Sequence, residues 1–453
     1  MSVGQASENT FLTAPIGRLF VKNALPMAVI MALSGLLNVT DAVFLGRFVG
    51  PEALAALSLI FPPVMLTIAL STLVSGGMSS LYARHLGAGD TSAAAQVLAR
   101  AHGLALLMAL AAIVALFALG RPWVAGLAEG NPTVAAMAWD YLAIMVCATP
   151  VQFLLGLHAD AWRNEGRAGM MAALSVGVTL ANIALNYALI VGAQMGMAGA
   201  AWGTVIAQAL GLVLLVGLRG RARVTLGALL GHRWWGGWGR IIALGAPLSL
   251  RFLGIALVSS CVLAALRFSQ PDSYALAVAA YGIVTRLLSF VFLPMMAMGF
   301  AVQSITGNNA GGGRMDRARA VLRLAVIVAL VYGLAVELVL IGGGQAIAAG
   351  FSDDAAVQAE VSRILRWMCA FYLVTGPVMM VALWFQALGQ PGRTALLTLV
   401  KPFVLTPVLI ALAVALGSEA GLWLAFPLSD LGMMGLAAWL FLTRNRSMGR
   451  APA

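Results

Sequence analysis

The chain has 453 residues, of which 61% are hydrophobic and 9% charged, with a mean hydropathy of +0.95 and a net charge of +11. Soluble domains carry about 25% charged residues, so this composition excludes a water-soluble fold. It leaves a protein that crosses the bilayer many times, and the distribution of the 27 Lys and Arg residues along the chain argues against reading the positive charge as a nucleic-acid surface.

Residues 1–15 are polar and lack the basic, apolar and cleavable parts of a secretory signal, so they read as a cytoplasmic tail. Apolar runs long enough to span hydrocarbon follow at 22–47, 54–84, 96–120, 133–157, 168–192, 198–218, 240–266, 275–307, 318–341, 357–387, 394–416 and 421–442, twelve in all. The polar, basic and Trp/Gly-rich segment 219–239 reads as a cytoplasmic connection, and 443–453 as a second tail. With the N-terminus inside, only five of the 27 Lys and Arg residues fall on the outer side (Arg47, Arg121, Arg267, Arg363 and Arg366) and three fall within spans (Arg251, Arg286 and Lys401). The other 19 lie on the inner side, which satisfies the positive-inside rule with both termini cytoplasmic. Anionic membrane lipid is a natural neighbour of such a face.

The first span carries Pro26 and, fifteen residues later, Asp41. A carboxylate in hydrocarbon costs roughly 2.5–3.5 kcal/mol on insertion scales, and a chain that keeps one generally uses its charge. Cys147, Cys261 and Cys369 lie in predicted spans without a pairing pattern, so no structural disulfide is expected. His85, His102, His158 and His232 have no metal-site spacing and read as loop or interface residues.

The chain also repeats itself. Gly87-Ala88-Gly89 followed by Val97-Leu98-Ala99-Arg100 recurs 224 residues later as Gly311-Gly312-Gly313 followed by Val321-Leu322-Arg323. Pro150-Val151 returns as Pro377-Val378, Gly166-Arg167 as Gly392-Arg393, and Pro26 as Pro247, at offsets of 227, 226 and 221. Six spans return a chain to its starting side, so the two halves share one orientation and are related by an axis along the membrane normal. The expectation is an all-α integral membrane protein, twelve transmembrane helices in two pseudo-symmetric six-helix bundles around a central cleft. The N-lobe takes 16–218 and the C-lobe 240–442.

Further stretches stand out: Val39-Thr40-Asp41 ahead of Phe44-Leu45-Gly46-Arg47, the Gly87-Ala88-Gly89-Asp90 loop, Arg163-Asn164-Glu165-Gly166, Asn182 and Asn186 with Tyr187, and Gly307-Asn308-Asn309 with Gly311. Together these resemble the multidrug and toxic compound extrusion (MATE) family, most of all its DinF-like and archaeal-type members. The likeness runs from about Ile16 to Arg444. It implies an antiporter, not an enzyme, that needs no cofactor and expels lipophilic, often cationic compounds on an inward H⁺ or Na⁺ gradient. A monomer in the bacterial inner membrane is expected, with no nucleic-acid partner.

The resemblance also implies a coupling and substrate cluster at Asp41, Tyr141, Asn182, Asn186 and Thr204, with span one bending at Pro26. Asn182 and Asn186 are four apart and share one helix face, and carboxylate, phenol, amide and hydroxyl are the partners a buried acid needs. No metal site is expected beyond a Na⁺ that Asp41, Asn182, Asn186 and Thr204 could hold. Archaeal-type members place a second acid where this chain has Asn186. With a single carboxylate, H⁺ is favoured over Na⁺. The acids that NorM-like relatives use in spans seven and ten align near Ile255 and Val378, both apolar, so that C-lobe ion site is not expected.

The second half instead carries Arg251, Arg286, Glu337, Lys401 and Asp430 within predicted spans as candidate polar sites. Opposite charges there usually neutralise one another across packed helices, and Lys401 with Asp430 is the first pair to consider. The alternative function is a lipid or lipid-linked sugar flippase of the same transporter superfamily, in which a cleft with several cationic residues would suit a pyrophosphate head; here Arg251, Arg286 and Lys401 are scattered, which argues against it. A prenyl-transferase-like enzyme needs paired aspartates for Mg²⁺, and the adjacent acids Asp353 and Asp354 sit in an outer loop.

Overall fold

The computed structural model describes residues 9–128, 130–417 and 419–448, and these are helices joined by short turns. Ten helices are long and apolar enough to cross a membrane, and two bent pairs bring the spans to twelve. The chain is therefore an all-α, multi-pass membrane protein. Its spans are Ile16–Phe48, Phe61–Gly87, Thr91–Leu127, the pair Pro132–Cys147 and Thr149–Asn164, Ala168–Gly192, and Gly196–Arg221, followed by Gly239–Ser269, Tyr274–Gly311, Met315–Gly342, the pair Ala355–Met368 and Tyr372–Ala387, Pro391–Ala415, and Gly421–Thr443.

Local chemistry sets these boundaries. Asp90 accepts the Ala93 N–H at 2.8 Å to start span three, and Asn131 accepts the Thr133 and Val134 N–H groups to start span four. Span two begins later than the apolar run suggests. Pro62 and Pro63 cannot donate to the preceding turn, so Pro51–Leu59 forms a separate short helix. Span four bends by 48° next to Pro150, and span ten by 53° where Phe371 takes a left-handed backbone with φ of 67°. Spans three, five and eleven each contain a π-helical turn, at Leu116–Gly120, Tyr187–Gly192 and Lys401–Leu405. Such turns widen the helix and are frequent at functional sites.

The chain forms two compact units, Met1–Ser249 with Gly307–Met315, and Leu250–Thr306 with Asp316–Ala453. The opening of span seven and the close of span eight thus belong with the first unit, and glycines explain why. A Cβ on Gly77 would collide with the Ile241 carbonyl, one on Gly245 with the Leu73 carbonyl, and one on Gly311 with the Arg84 carbonyl. Backbones this close leave no room for any side chain.

Residues 9–15 form more than the end of a tail. Thr10–Thr13 is a helical turn that buries Phe11, whose carbonyl accepts from Asn309 Nδ2 at 3.1 Å, while Asn9 Nδ2 donates to Asn308 Oδ1 at 2.9 Å. The remainder of the expected tails, 1–8 and 449–453, lies outside the described residues. Cys147, Cys261 and Cys369 are free thiols.

Candidate functional site

In the first unit, Leu45, Tyr141, Ile190 and Met197 belong to one buried apolar cluster, and a polar chain lies alongside it. Thr204 Oγ donates to the Ala200 carbonyl one turn back at 3.1 Å, which commits the only hydroxyl hydrogen. Thr204 Oγ must then accept, and it does so from Asn182 Nδ2 at 3.1 Å. That turns the Asn182 carbonyl toward Asn186 Nδ2, which donates to it at 3.1 Å. The second hydrogen of the same amide reaches Asp41 Oδ1 at 2.7 Å. One backbone carbonyl thus fixes the donor direction through three side chains, and the chain ends on a carboxylate.

Asn182 and Asn186 are buried, at 1% and 0% exposure, and Asp41 is half-buried. Asn186 directly precedes the π-turn of span five. Its carbonyl oxygen is buried with no donor and lies against Gly203, so the cluster holds a spare acceptor on the same amide that meets Asp41. Tyr141 is buried and within electrostatic reach of Asp41, but no hydrogen bond joins the two. Pro26 lies inside span one, which runs on as helix through it. Among the described residues no group of three or more His, Cys, Asp or Glu is placed to hold a metal ion.

Gly203 shapes this cluster, because a Cβ there would collide with the Asn186 carbonyl oxygen. Gly203→Ala is expected to displace the amide and remove a hydrogen bond to a charged group, a loss of roughly 1.5–3 kcal/mol. A lower thermal midpoint of the purified variant checks this, and an unchanged midpoint would mean that Asn186 is not held as described.

A second buried network in the same unit is absent from the sequence reading. His102 Nδ1 lies 2.8 Å from the Leu98 carbonyl, which can only accept, so this nitrogen carries the proton. His102 Nε2 therefore accepts from His158 Nε2 at 3.2 Å, and His158 Nδ1 accepts from Arg219 Nε at 3.2 Å. Both rings are held neutral by this arrangement. Arg219 also pairs with Glu165 at 2.7 Å and lies over the Trp162 ring, while Glu165 accepts from the Tyr82 hydroxyl at 2.5 Å and the Arg223 N–H at 3.0 Å. His102 and His158, at 3% and 2% exposure, are core residues and not the loop or interface residues expected. The segment after Arg219 is packed too, with Leu229 buried and Trp234 against the His102 ring. Glu165 stands inside the Arg163-Asn164-Glu165-Gly166 stretch, the one signal in the sequence that could have marked the network.

The second unit gathers most of the other predicted charges. Lys401, first residue of the π-turn in span eleven, pairs with Asp430 at 2.5 Å, and Thr375 Oγ donates to the same carboxylate at 3.2 Å. Glu337 pairs with no cation among the described residues and accepts the Phe371 and Leu373 N–H groups at 3.2 and 3.0 Å. Arg251 meets the Met379 sulfur at 3.7 Å and the Phe292 ring at 4.4 Å from its centroid. Arg286 is exposed on span eight.

A family model described as MatE matches residues 26–188 and again 249–412, one copy in each half of the chain. An FAD transporter of Shewanella oneidensis is 27% identical over 453 residues, covering 96% of both chains. The multidrug export protein MepA of Staphylococcus aureus is 24% identical over 447 residues and 96% of both chains, and the multidrug resistance protein PmpM of Pseudomonas aeruginosa is 26% identical over 77% of this chain and 73% of its own. Among solved structures, a MOP superfamily transporter from Pyrococcus furiosus superposes with a TM-score of 0.86 at 20% identity, covering 98% of this chain and 99% of that one, a likeness of fold.

Proposed function

We propose, from the premise that this chain belongs to the MatE family of transporters, that it is a cation-coupled antiporter exporting lipophilic, often cationic organic compounds by alternating access. Multidrug exporters among its relatives support the cargo class. In this reading it works as a monomer in the bacterial inner membrane with both termini cytoplasmic. Its lobes are the sequence halves 16–218 and 240–442, a division that the twofold family match supports.

The observation that carries the coupling is the directed polar chain ending on Asp41. An ionised Asp41 accepts the Asn186 N–H; a protonated one has the buried, donor-free Asn186 carbonyl as a spare acceptor. Each charge state therefore has a partner, and a switch between them repacks span one against span five. H⁺ is favoured over Na⁺ because the nearest partner of the Asp41 carboxylate is an amide N–H, which repels a cation, and because the relay contains a single carboxylate. Pro26 leaves a gap in the hydrogen-bond ladder of span one where that helix can bend.

A second reading of the cargo, a flavin nucleotide, is supported by the full-length match to the FAD transporter. Proteoliposomes loaded with a cationic dye and given either an H⁺ or a Na⁺ gradient test the proposal. Dye movement driven by the pH gradient alone is expected, and dye movement that follows neither gradient would sink it.

A further inference from the structure

Arg251 lies in the body of span seven, where an ionised side chain is tolerated when it is paired or has work to do. Among the described residues, the two acids predicted within spans of the same unit are already engaged. Asp430 is held by Lys401 and Thr375, and Glu337 by two backbone N–H groups. The partners of Arg251 are a thioether and a phenyl face, which cradle a guanidinium without cancelling its charge. Span eleven approaches span seven closely one turn further on, since a Cβ on Gly254 would fall 2.7 Å from Pro402 in the π-turn that Lys401 begins.

A hydroxyl without a partner completes the set. Tyr372 is 9% exposed, its phenolic oxygen is buried and makes no hydrogen bond, and it lies within electrostatic reach of both Arg251 and Asp430. A buried O–H left unmade costs about 1–3 kcal/mol. It would be satisfied by an acceptor arriving between it and Arg251. The fork of an arginine suits two oxygens of one carboxylate or phosphate, and both Arg251 and Lys401 keep part of their side chains exposed.

We propose that the second unit holds an anion-binding site in which Arg251 and Tyr372 take a carboxylate or phosphate group of an organic anion, with the Lys401–Asp430 pair as a neutral wall. For its role in export the site rests on the antiporter reading, but its test is binding, so either can fail without the other.

The test measures FAD and riboflavin affinity by calorimetry on protein in phosphatidylcholine nanodiscs; the two ligands share a ring system and differ in the diphosphate. Arg251→Gln is expected to weaken FAD binding by at least about tenfold and Tyr372→Phe by about threefold, with Arg251→Lys in between and riboflavin unaffected. Tyr372→Phe keeps the packing and the charge, so it decides the matter if Arg251→Gln folds poorly. Repeating the titration in phosphatidylglycerol separates two sources of the same chemistry. Weakened FAD binding in wild type alone identifies a lipid headgroup as an occupant, whereas unchanged binding identifies a soluble organic anion. Equal FAD affinity in wild type and both variants, or parallel loss of FAD and riboflavin, overturns the proposal.

Discussion

Asp41→Asn should be inserted and purified like the wild type yet move no more dye under a pH gradient than empty liposomes. Asparagine matches aspartate in shape, and its carbonyl oxygen can still accept from Asn186 Nδ2, so the chain back to the Ala200 carbonyl survives. What disappears is the change of charge. The antiport reading places the whole energy input there, because no other carboxylate enters the relay, and a partial loss would already require a second coupling group. Two measurements on one preparation decide it: gradient-driven dye efflux and the thermal midpoint. Lost efflux at an unchanged midpoint is the expected pair. Retained gradient-driven efflux would show that Asp41 is not the coupling acid, and a collapsed midpoint would show that its charge supports the fold instead.

The parts of this molecule that can be read from its sequence are those that depend on local spacing or on scarcity. Twelve spans follow from apolar run length, although the start of the second depends on two prolines that hydropathy averages away. Asn182 and Asn186 are legible as one helix face because a four-residue step is local. That Thr204 fixes the direction of their amides is not, since it requires knowing that its hydroxyl hydrogen is spent on Ala200. Lys401 and Asp430 are legible as a pair because opposite charges on successive spans have few other partners. Arg163 and Arg219 show the limit most clearly. Both count toward the basic inner face, yet both are buried, at 2% and 0% exposure, and paired with Asp160 and Glu165. A charge tally records the end of a helix, whereas what receives the charge is set by packing. The histidine network is hidden for the same reason, with its members drawn from spans two, three, four and six and from the segment beyond.

That network sets the largest expected effect on stability. Arg219→Met should lower the unfolding free energy by about 3–5 kcal/mol, the usual cost of leaving a buried charge without its partner. Glu165 would keep the Tyr82 hydroxyl, the Arg223 N–H and the more distant Arg223 charge but lose its ion pair, and His158 Nδ1 would lose its donor. Methionine fills much of the guanidinium's volume over Trp162, so the loss reports electrostatics more than a cavity. The double variant Arg219→Met with Glu165→Gln removes both charges and is expected to recover part of the deficit, since breaking a buried pair costs more than replacing it. Thermal or denaturant midpoints of the two variants in one detergent settle the point. If Arg219→Met unfolds with the wild type, or if the second substitution merely adds its own loss, the pair is not what fastens the segment after Arg219 to the first unit.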